Sequence, residues 1–534
     1  MAISTFPGVY IQEVPSSVRT ITGVPTAIAA VVGRTLLGPV NEPIIINNFG
    51  QFEREFGGLV VDSSVGYAVK DFFSNGGGEA VVVRLYRSPS TATGVATITF
   101  GSTVLKLKAS SPGTWVSALK VTPSLETPSV RAQIAEALGL PATTASANSI
   151  FNLKIEYGTG IVENIQNLTL IESPRRYDKV LAQESRYVRA LAPPATGDNT
   201  DATLLIAGSP PAPLVPVFAG ALASDPLQRS DYAGSIAAKT GVPALEKTDL
   251  FNILCVPPDV RGIDGWTPTD PLVYSDSLDY ARTRRAMLVI DPPKASTTQS
   301  PGDQVLAFLA SLNLSGDRTQ NAVAYFPRVL EADPLRSNTV DGFAVCGVVA
   351  GVMAQTDANR GVWKAPAGID AGMSGITGLE VNLTDADNGR INPVGVNALR
   401  SFPIIGNVVW GARTLRGADE LGDQYKYLPV RRVALFIEES LFRGTKFAVF
   451  EPNDEPLWAQ LRLNIGAFMN NLFRQGAFQG QSAREAYFVK CDKETTTQND
   501  INLGVVNILV GFAPLKPAEF VVIKIQQIAG QIAT

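Results

Sequence analysis

Chemistry in a chain of this length usually runs through histidine, and none of the 534 residues is one. Ser-His-Asp and Cys-His nucleophilic arrangements, histidine-ligated zinc and imidazole pH switching therefore drop out together. Cys255, Cys346 and Cys491 stand dozens of residues apart with no CxxC spacing, so neither a disulfide framework nor an all-cysteine metal site fits them. Each lies in an apolar stretch such as Ile253-Leu254-Cys255-Val256, where free cysteine acts as a small buried hydrophobe. The phosphate loop G-x-x-x-x-G-K-[ST] does not occur, and Gly444-Thr445-Lys446 has its residues in the wrong order. Gly76-Gly77-Gly78 joins a predicted helix to a predicted strand, the reverse of the order that aims amides at a phosphate. Gly372, Gly375 and Gly378 follow no strand.

The acids offer little more. Asp385, Asp387 and Gly389 imitate a calcium loop, but glycine replaces the fifth-position ligand and Val396 the closing acid, so an Asx-rich turn is expected. Asp259 and Asp291 follow predicted strands, where α/β enzymes hold catalytic groups. With no nucleophile or cofactor loop nearby in sequence, capping is the expectation for both. Glu438 and Glu439 are helical neighbours that project about 100° apart and cannot act as a facing pair. Catalytic, cofactor and metal residues are all expected to be none; a cytosolic α/β enzyme using carboxylate chemistry is the alternative that stays open.

Composition bounds the class. Hydrophobic residues make up 45% and charged residues 18%, a globular profile. Lys plus Arg at 45 against Asp plus Glu at 49 gives a net charge of −4, so no global positive field gathers nucleic acid. The N-terminus lacks a basic start and a continuous apolar core, and the longest apolar run, 343–354, is too short to span a bilayer, so no membrane insertion is expected. Synthesis and folding in a cytosol follow as the expectation.

These residues must be positioned by an α/β multidomain chain. Residues 27–32, 80–86, 250–256, 287–290 and 322–326 read as buried strands alternating with helices, one of them carrying the stripe Val65, Val69, Phe72 and Phe73. Between 91 and 226 the text turns to short β-prone pieces with Ser, Thr, Gly and Pro punctuation. We therefore expect a discontinuous α/β domain at 23–90 and 227–355 with an inserted, mostly β domain at 91–226. An α+β C-terminal assembly domain is expected at 356–513. Its clearest helix, 457–474, has Leu457, Trp458, Leu461, Ile465, Phe468, Met469, Leu472 and Phe473 on one stripe. Strands at 485–491 and 505–512 form only a two-stranded sheet there. Arms flank the body at 1–22 and 514–534, each with a strand bracketed or isolated by prolines. Terminal strands without a partner in their own chain are candidates for joining a neighbour's sheet edge.

Several segments carry a specific likeness. Phe6-Pro7-Gly8-Val9-Tyr10-Ile11-Gln12-Glu13, Thr356-Asp357 with Arg360-Gly361-Val362-Trp363-Lys364-Ala365-Pro366, and Val409-Trp410-Gly411-Ala412-Arg413-Thr414-Leu415 resemble contractile tail sheath proteins of bacteriophages and related injection particles. Arg431-Arg432-Val433, Glu438-Glu439-Ser440, Phe450-Glu451-Pro452-Asn453 before Trp458, and Gly476-Ala477-Phe478-Gln479-Gly480 extend the likeness to the C-terminus.

The resemblance implies a structural subunit and no enzyme. It implies stacked hexameric rings in a helical sheath around an inner tube protein, contracting to drive the tube through a target envelope. Baseplate and tail-terminator or cap proteins would be the other partners. Assembly would occur in the bacterial cytoplasm, and the product would be a phage virion tail or a released injection particle. It further implies swapped terminal strands: Val9, Tyr10, Ile11, Gln12, Glu13 and Val14 from one neighbour, and Phe520, Val521, Val522, Ile523, Lys524 and Ile525 from another. Their acceptor would be a third copy's sheet, through Tyr487, Val489, Val505, Ile508 and Val510. Arg431, Glu438, Glu439 and Lys446 are expected to face the tube. Type VI sheaths usually divide these parts between two chains, so a phage tail, tailocin or extracellular particle fits better.

Overall fold

The computed structural model describes residues 20–89, 97–100, 105–158, 160–192, 200–205, 223–263 and 265–524. Its largest unit is an eight-stranded sheet in the order Gly406–Val409, Val396–Phe402, Ala322–Phe326, Met287–Ile290, Ile253–Cys255, Ala29–Arg34, Ala80–Leu85, Pro43–Ile46. The inner pairings are parallel, and the two edge strands run antiparallel to their neighbours. Both faces are covered, which explains why the strands read as continuous apolar runs. Ala29, Val31, Val82, Cys255 and Val289 face one core; Ala30, Val32, Val83, Leu254 and Leu288 face the other.

Helices Val65–Ser74 and Cys346–Arg360 cover the first face, and Pro271–Thr283 and Pro301–Leu312 pack on the second. Gly347 and Gly351 let the first pair close to backbone distance, since a Cβ at either would strike the carbonyls of Ala68 and Phe72. Ser64 stands at the N-cap position of the Val65–Ser74 helix, and its hydroxyl bonds across to the Pro258 carbonyl instead of to its own helix.

One expected boundary moves. Residues 396–409 were assigned to the C-terminal domain, but they extend the α/β sheet beyond Ala322–Phe326. The register places Asn397 beside Tyr325, and the buried Asn397 amide is satisfied by the Ala324 and Arg413 carbonyls. Asp385 and Asp387, expected in a turn, begin the helix Asp385–Ile391, with Thr384 and Asp387 in a reciprocal capping box.

Two three-stranded sheets, Thr97–Phe100 with Leu105–Ala109 and Val188–Ala190, and Leu119–Ser124 with Ile150–Tyr157 and Ile161–Thr169, share a separate core around Trp115, Phe151 and Leu153. Buried Arg84, at the end of a central strand, ties this unit to the body by donating to Gly38 O at 2.7 Å and Pro112 O at 2.6 Å.

The C-terminal unit rests on helices Leu428–Gly444 and Glu455–Arg474. Asp454 caps the second and Pro456 fits its first turn. Its apolar stripe divides between two clusters: Leu457, Trp458 and Leu461 pack near Cys491, and Ile465, Phe468, Met469 and Leu472 pack against Val433 and Ile437. Among the described residues no helix is long and apolar enough to cross a membrane.

Candidate functional site

The strand-end acids are all occupied by the fold. Arg34 Nε donates to Asp259 Oδ1 at 2.5 Å, and Asp259 Oδ2 accepts from Leu227 N. Asp291 Oδ1 accepts from the amides of Val345 and Cys346 at 2.7 and 2.8 Å, at the start of helix Cys346–Arg360. Burial pushes the Asp291 carboxyl up to about 6, against the pull of those amides. Arg261 bridges Asp333 and Asp341, both at 2.6 Å, with its guanidinium over the Trp266 and Phe343 rings. The crevice where open α/β sheets hold ligands is thus filled by the chain's own charge pairs.

One carboxyl pair has the chemistry of an acid-base dyad. Asp71 and Glu331 are buried facing each other; burial, and then the proximity of Glu331, holds the Asp71 proton well above the usual carboxylate range. They meet in the packed core, each 1% exposed. A cavity of about 730 Å³ lies elsewhere, between Trp363, Lys364, Trp410 and the segment 515–520. The carboxylate that lines it, Glu519, is held by Arg413 at 2.6 and 2.7 Å. Among the described residues no group of three or more acids or cysteines is arranged to hold a metal ion.

The surface chemistry lies at the C-terminus. Tyr487–Lys490 and Leu509–Phe512 form an antiparallel two-stranded sheet, with Tyr487 opposite Phe512 and Val489 opposite Val510. Tyr487, Val489, Val510 and Phe512 turn onto the helical core, leaving Phe488 and Leu509 48% and 53% exposed. Ile508 packs just before the second strand, and Val505 lies outside it, following a short helix, Gln498–Asn502, that a Thr497–Asp500 capping box starts. Neither strand has a further strand partner among the described residues.

Beyond Pro517 the chain runs out over the surface. Phe520, Val521, Val522 and Ile523 are 75%, 81%, 78% and 80% exposed, and with Lys524 they pair with no strand among the described residues. Ile525 and the N-terminal set Val9, Tyr10, Ile11, Gln12, Glu13 and Val14 lie outside the described residues.

Of the four residues expected to face a tube, three pair within their own chain, and two of these, Arg431 and Glu439, are buried; the third, Glu438, pairs with Arg431 at 3.3 Å. Arg431 is buried and donates to Asn321 Oδ1 from Nε and Nη2 at 3.2 and 3.0 Å. Glu439 is buried between Arg285 and Arg443 at 2.9 and 2.7 Å. The contacts to Asn321 and Arg285 fasten helix Leu428–Gly444 to the α/β body, and those two partners lie more than a hundred residues away, which helical spacing does not reveal; Arg443 is one turn further along the same helix. Glu438 is 43% exposed at its side chain, and the Lys446 ammonium stands over the Phe442 ring. The segments singled out in the sequence hold further clamps: Arg432 pairs with buried Asp357 at 2.6 Å, and Trp458 Nε1 donates to Asn453 Oδ1 at 2.9 Å.

Comparisons with known proteins agree on one family. Residues 420–528 match the phage tail sheath C-terminal domain. A tail sheath protein of Vibrio phage KVP40 is 28% identical over 129 residues, which is 24% of this chain and 19% of that protein. The chain therefore spans about a fifth of the length of that relative. Among solved structures, the sheath complex of the extracellular contractile injection system PVC in its contracted state matches with a TM-score of 0.55 at 20% identity, covering 99% of both chains. A chain of the six-fold symmetrised anti-feeding prophage baseplate matches at 0.54 and 21%, covering 98% of this chain and 99% of its own. A sheath tail protein of Listeria innocua matches at 0.54 and 12%, covering 92% and 96%. These likenesses extend the sheath fold over nearly the whole chain.

Proposed function

We propose that this chain, a member of the contractile tail sheath family, is the structural subunit of a contractile sheath. It is a structural protein and not an enzyme. Copies stack as hexameric rings around an inner tube and shorten together to drive the tube through a target envelope. Baseplate proteins sit at one end and a tail-terminator or cap protein at the other. Assembly takes place in the bacterial cytoplasm, and the product is a virion tail or a released particle.

The observation that carries this reading is the apolar run 520–523, four residues at least three-quarters exposed, leaving a chain that also presents a two-stranded sheet with open edges. Ordering a residue costs about 1–2 kcal/mol of backbone entropy, and a ladder hydrogen bond returns only about 0.5–1.5 kcal/mol net. Apolar burial must therefore decide whether an arm docks, and Val521 and Ile523 supply it from one side of an extended strand. The body has strand order and packing of its own, so copies can rotate as rigid units while arms keep them tethered. A head-to-tail contact that does not close on itself yields an open helix, the symmetry that stacked rings joined by arms require.

Negative-stain microscopy of the concentrated chain tests the proposal. Striated tubes are expected; a monodisperse particle at every concentration would contradict it. Removing residues 1–14 or 519–534 is expected to leave a folded monomer that makes no tubes.

A further inference from the structure

The C-terminal segment leaves the body at a single residue. Ala513 N donates to Ala486 O, Gln479 N donates to Ala513 O, and Pro514 bridges to Phe478, which ends the hold of the two-stranded sheet. The chain then crosses the edge of the 730 Å³ cavity, stiffened by Pro514 and Pro517. At Glu519 it is caught again. Arg413 Nε and Nη2 donate to the two carboxylate oxygens at 2.7 and 2.6 Å, and Tyr427 Oη donates to Oε2 at 3.2 Å. The next residue, Phe520, is already 75% exposed.

Arg413 is fully buried, and its remaining donor is used on Asn392 O, Gly417 O and Asp419. Its backbone is fixed as well: Arg413 N donates to Asn397 Oδ1 at 2.7 Å, and Asn397 Nδ2 donates to Arg413 O at 2.8 Å and Ala324 O at 3.1 Å. A continuous polar chain thus runs from a central strand of the eight-stranded sheet to the root of the arm.

We propose that Arg413 is the positioning residue of the C-terminal arm: by gripping Glu519 it sets the point and direction at which residues 520–524 depart, and passes tension on the arm into the eight-stranded sheet. The inference rests on the arm reading above and adds what aims the arm. A root held in one direction has less freedom to lose on docking, which is how preorganisation strengthens binding. A pull that ends at Arg413 also bypasses Leu509–Phe512, which one neighbouring strand holds in place among the described residues.

The test uses the full chain with Glu519→Gln, Glu519→Asp and a deletion of 520–534. Polymer formation is followed by sedimentation, and the arm's direction by the distance distribution between spin labels at Val522→Cys and Ser401→Cys. The native cysteines are all buried and leave labelling to the introduced ones. Glu519→Gln is expected to raise the concentration needed for polymers by about 10- to 100-fold, the worth of one hydrogen bond to a charged group. It should broaden the label distances with the monomer's melting in place, because Asp419, 2.9 Å from Arg413 Nη1, still pairs the buried charge, and Glu519→Asp should recover part of both effects. Polymers of Glu519→Gln at the parent's concentration, with the deletion abolishing them, would overturn the proposal. So would a lowered melting temperature with unbroadened distances. If the deletion polymerises like the parent, the arm reading itself falls, and the clamp falls with it.

Discussion

Replacing Val521 and Ile523 by alanine separates folding from assembly, because both side chains are about four-fifths exposed in the single chain. The double substitution removes two carbons from one and three from the other, at about 0.8 kcal/mol for each buried methylene. Full burial in a neighbour would make that loss about 4 kcal/mol. About 3 kcal/mol remains after allowing for the fifth already covered within the chain. At about 1.4 kcal/mol per tenfold, the critical concentration for polymerisation should rise roughly 200-fold. Light scattering against concentration measures it, and thermal melting of dilute monomer supplies the control, which should not move by more than a degree or two. Polymers at the parent's concentration would show that the arm buries these side chains nowhere. A monomer destabilised by the same amount would show that they pack within their own chain.

Other predictions concern the body. Asp291 carries a carboxyl raised from 3.8 to about 6, so its stabilisation is complete below about pH 4 and is lost as pH rises through 6, a change of about 3 kcal/mol. Asp291→Asn keeps the acceptor for Val345 and Cys346 without titrating, so its melting temperature should vary less than the parent's between pH 4 and 7; parallel profiles would refute the assignment. Asp357→Ala strands the buried Arg432 and should cost about 3–5 kcal/mol in denaturant unfolding, with much of it recovered when Arg432→Met is added. Ile404, fully exposed at the tip of the edge hairpin, has φ 73, a strained value for a β-branched residue. Ile404→Asn, which tolerates that conformation, should stabilise the monomer by about 1 kcal/mol, and an unchanged melting temperature would remove the strain argument.

The sequence made most of the central sheet legible because the inner strands other than 396–402 are apolar except for Arg34 and Arg84 at their ends, the signature of burial on both faces. The interruption by a β-rich insertion was visible as a change of period and punctuation at about residue 91. Residues 396–402 escaped because Asn397, Arg400 and Ser401 break the apolar run, although Asn397 is buried and spent on the backbone at Ala324 and Arg413. The helix at Asp385 was signalled by Thr384 three residues before Asp387, a capping pattern that the likeness to a calcium loop obscured.

Charge pairs were the least legible. Arg431 and Glu439 looked like surface residues because their partners, Asn321 and Arg285, lie far away in sequence and meet them only through the fold. The same holds for Arg413 and Glu519, 106 residues apart, whose contact fixes the arm. The arm is an expectation drawn from isolation alone, since Pro514 and Pro517 separate residues 519–526 from the strands before them.

A helical reconstruction by electron cryomicroscopy of the polymerised chain tests the central claim most directly. The account predicts stacked six-fold rings in which density for residues 520–525 continues as an added strand on the Tyr487–Lys490 and Leu509–Phe512 sheet of a neighbouring copy. Rings whose arms fold back onto their own sheet, or contacts that leave residues 520–523 in solvent, would contradict it.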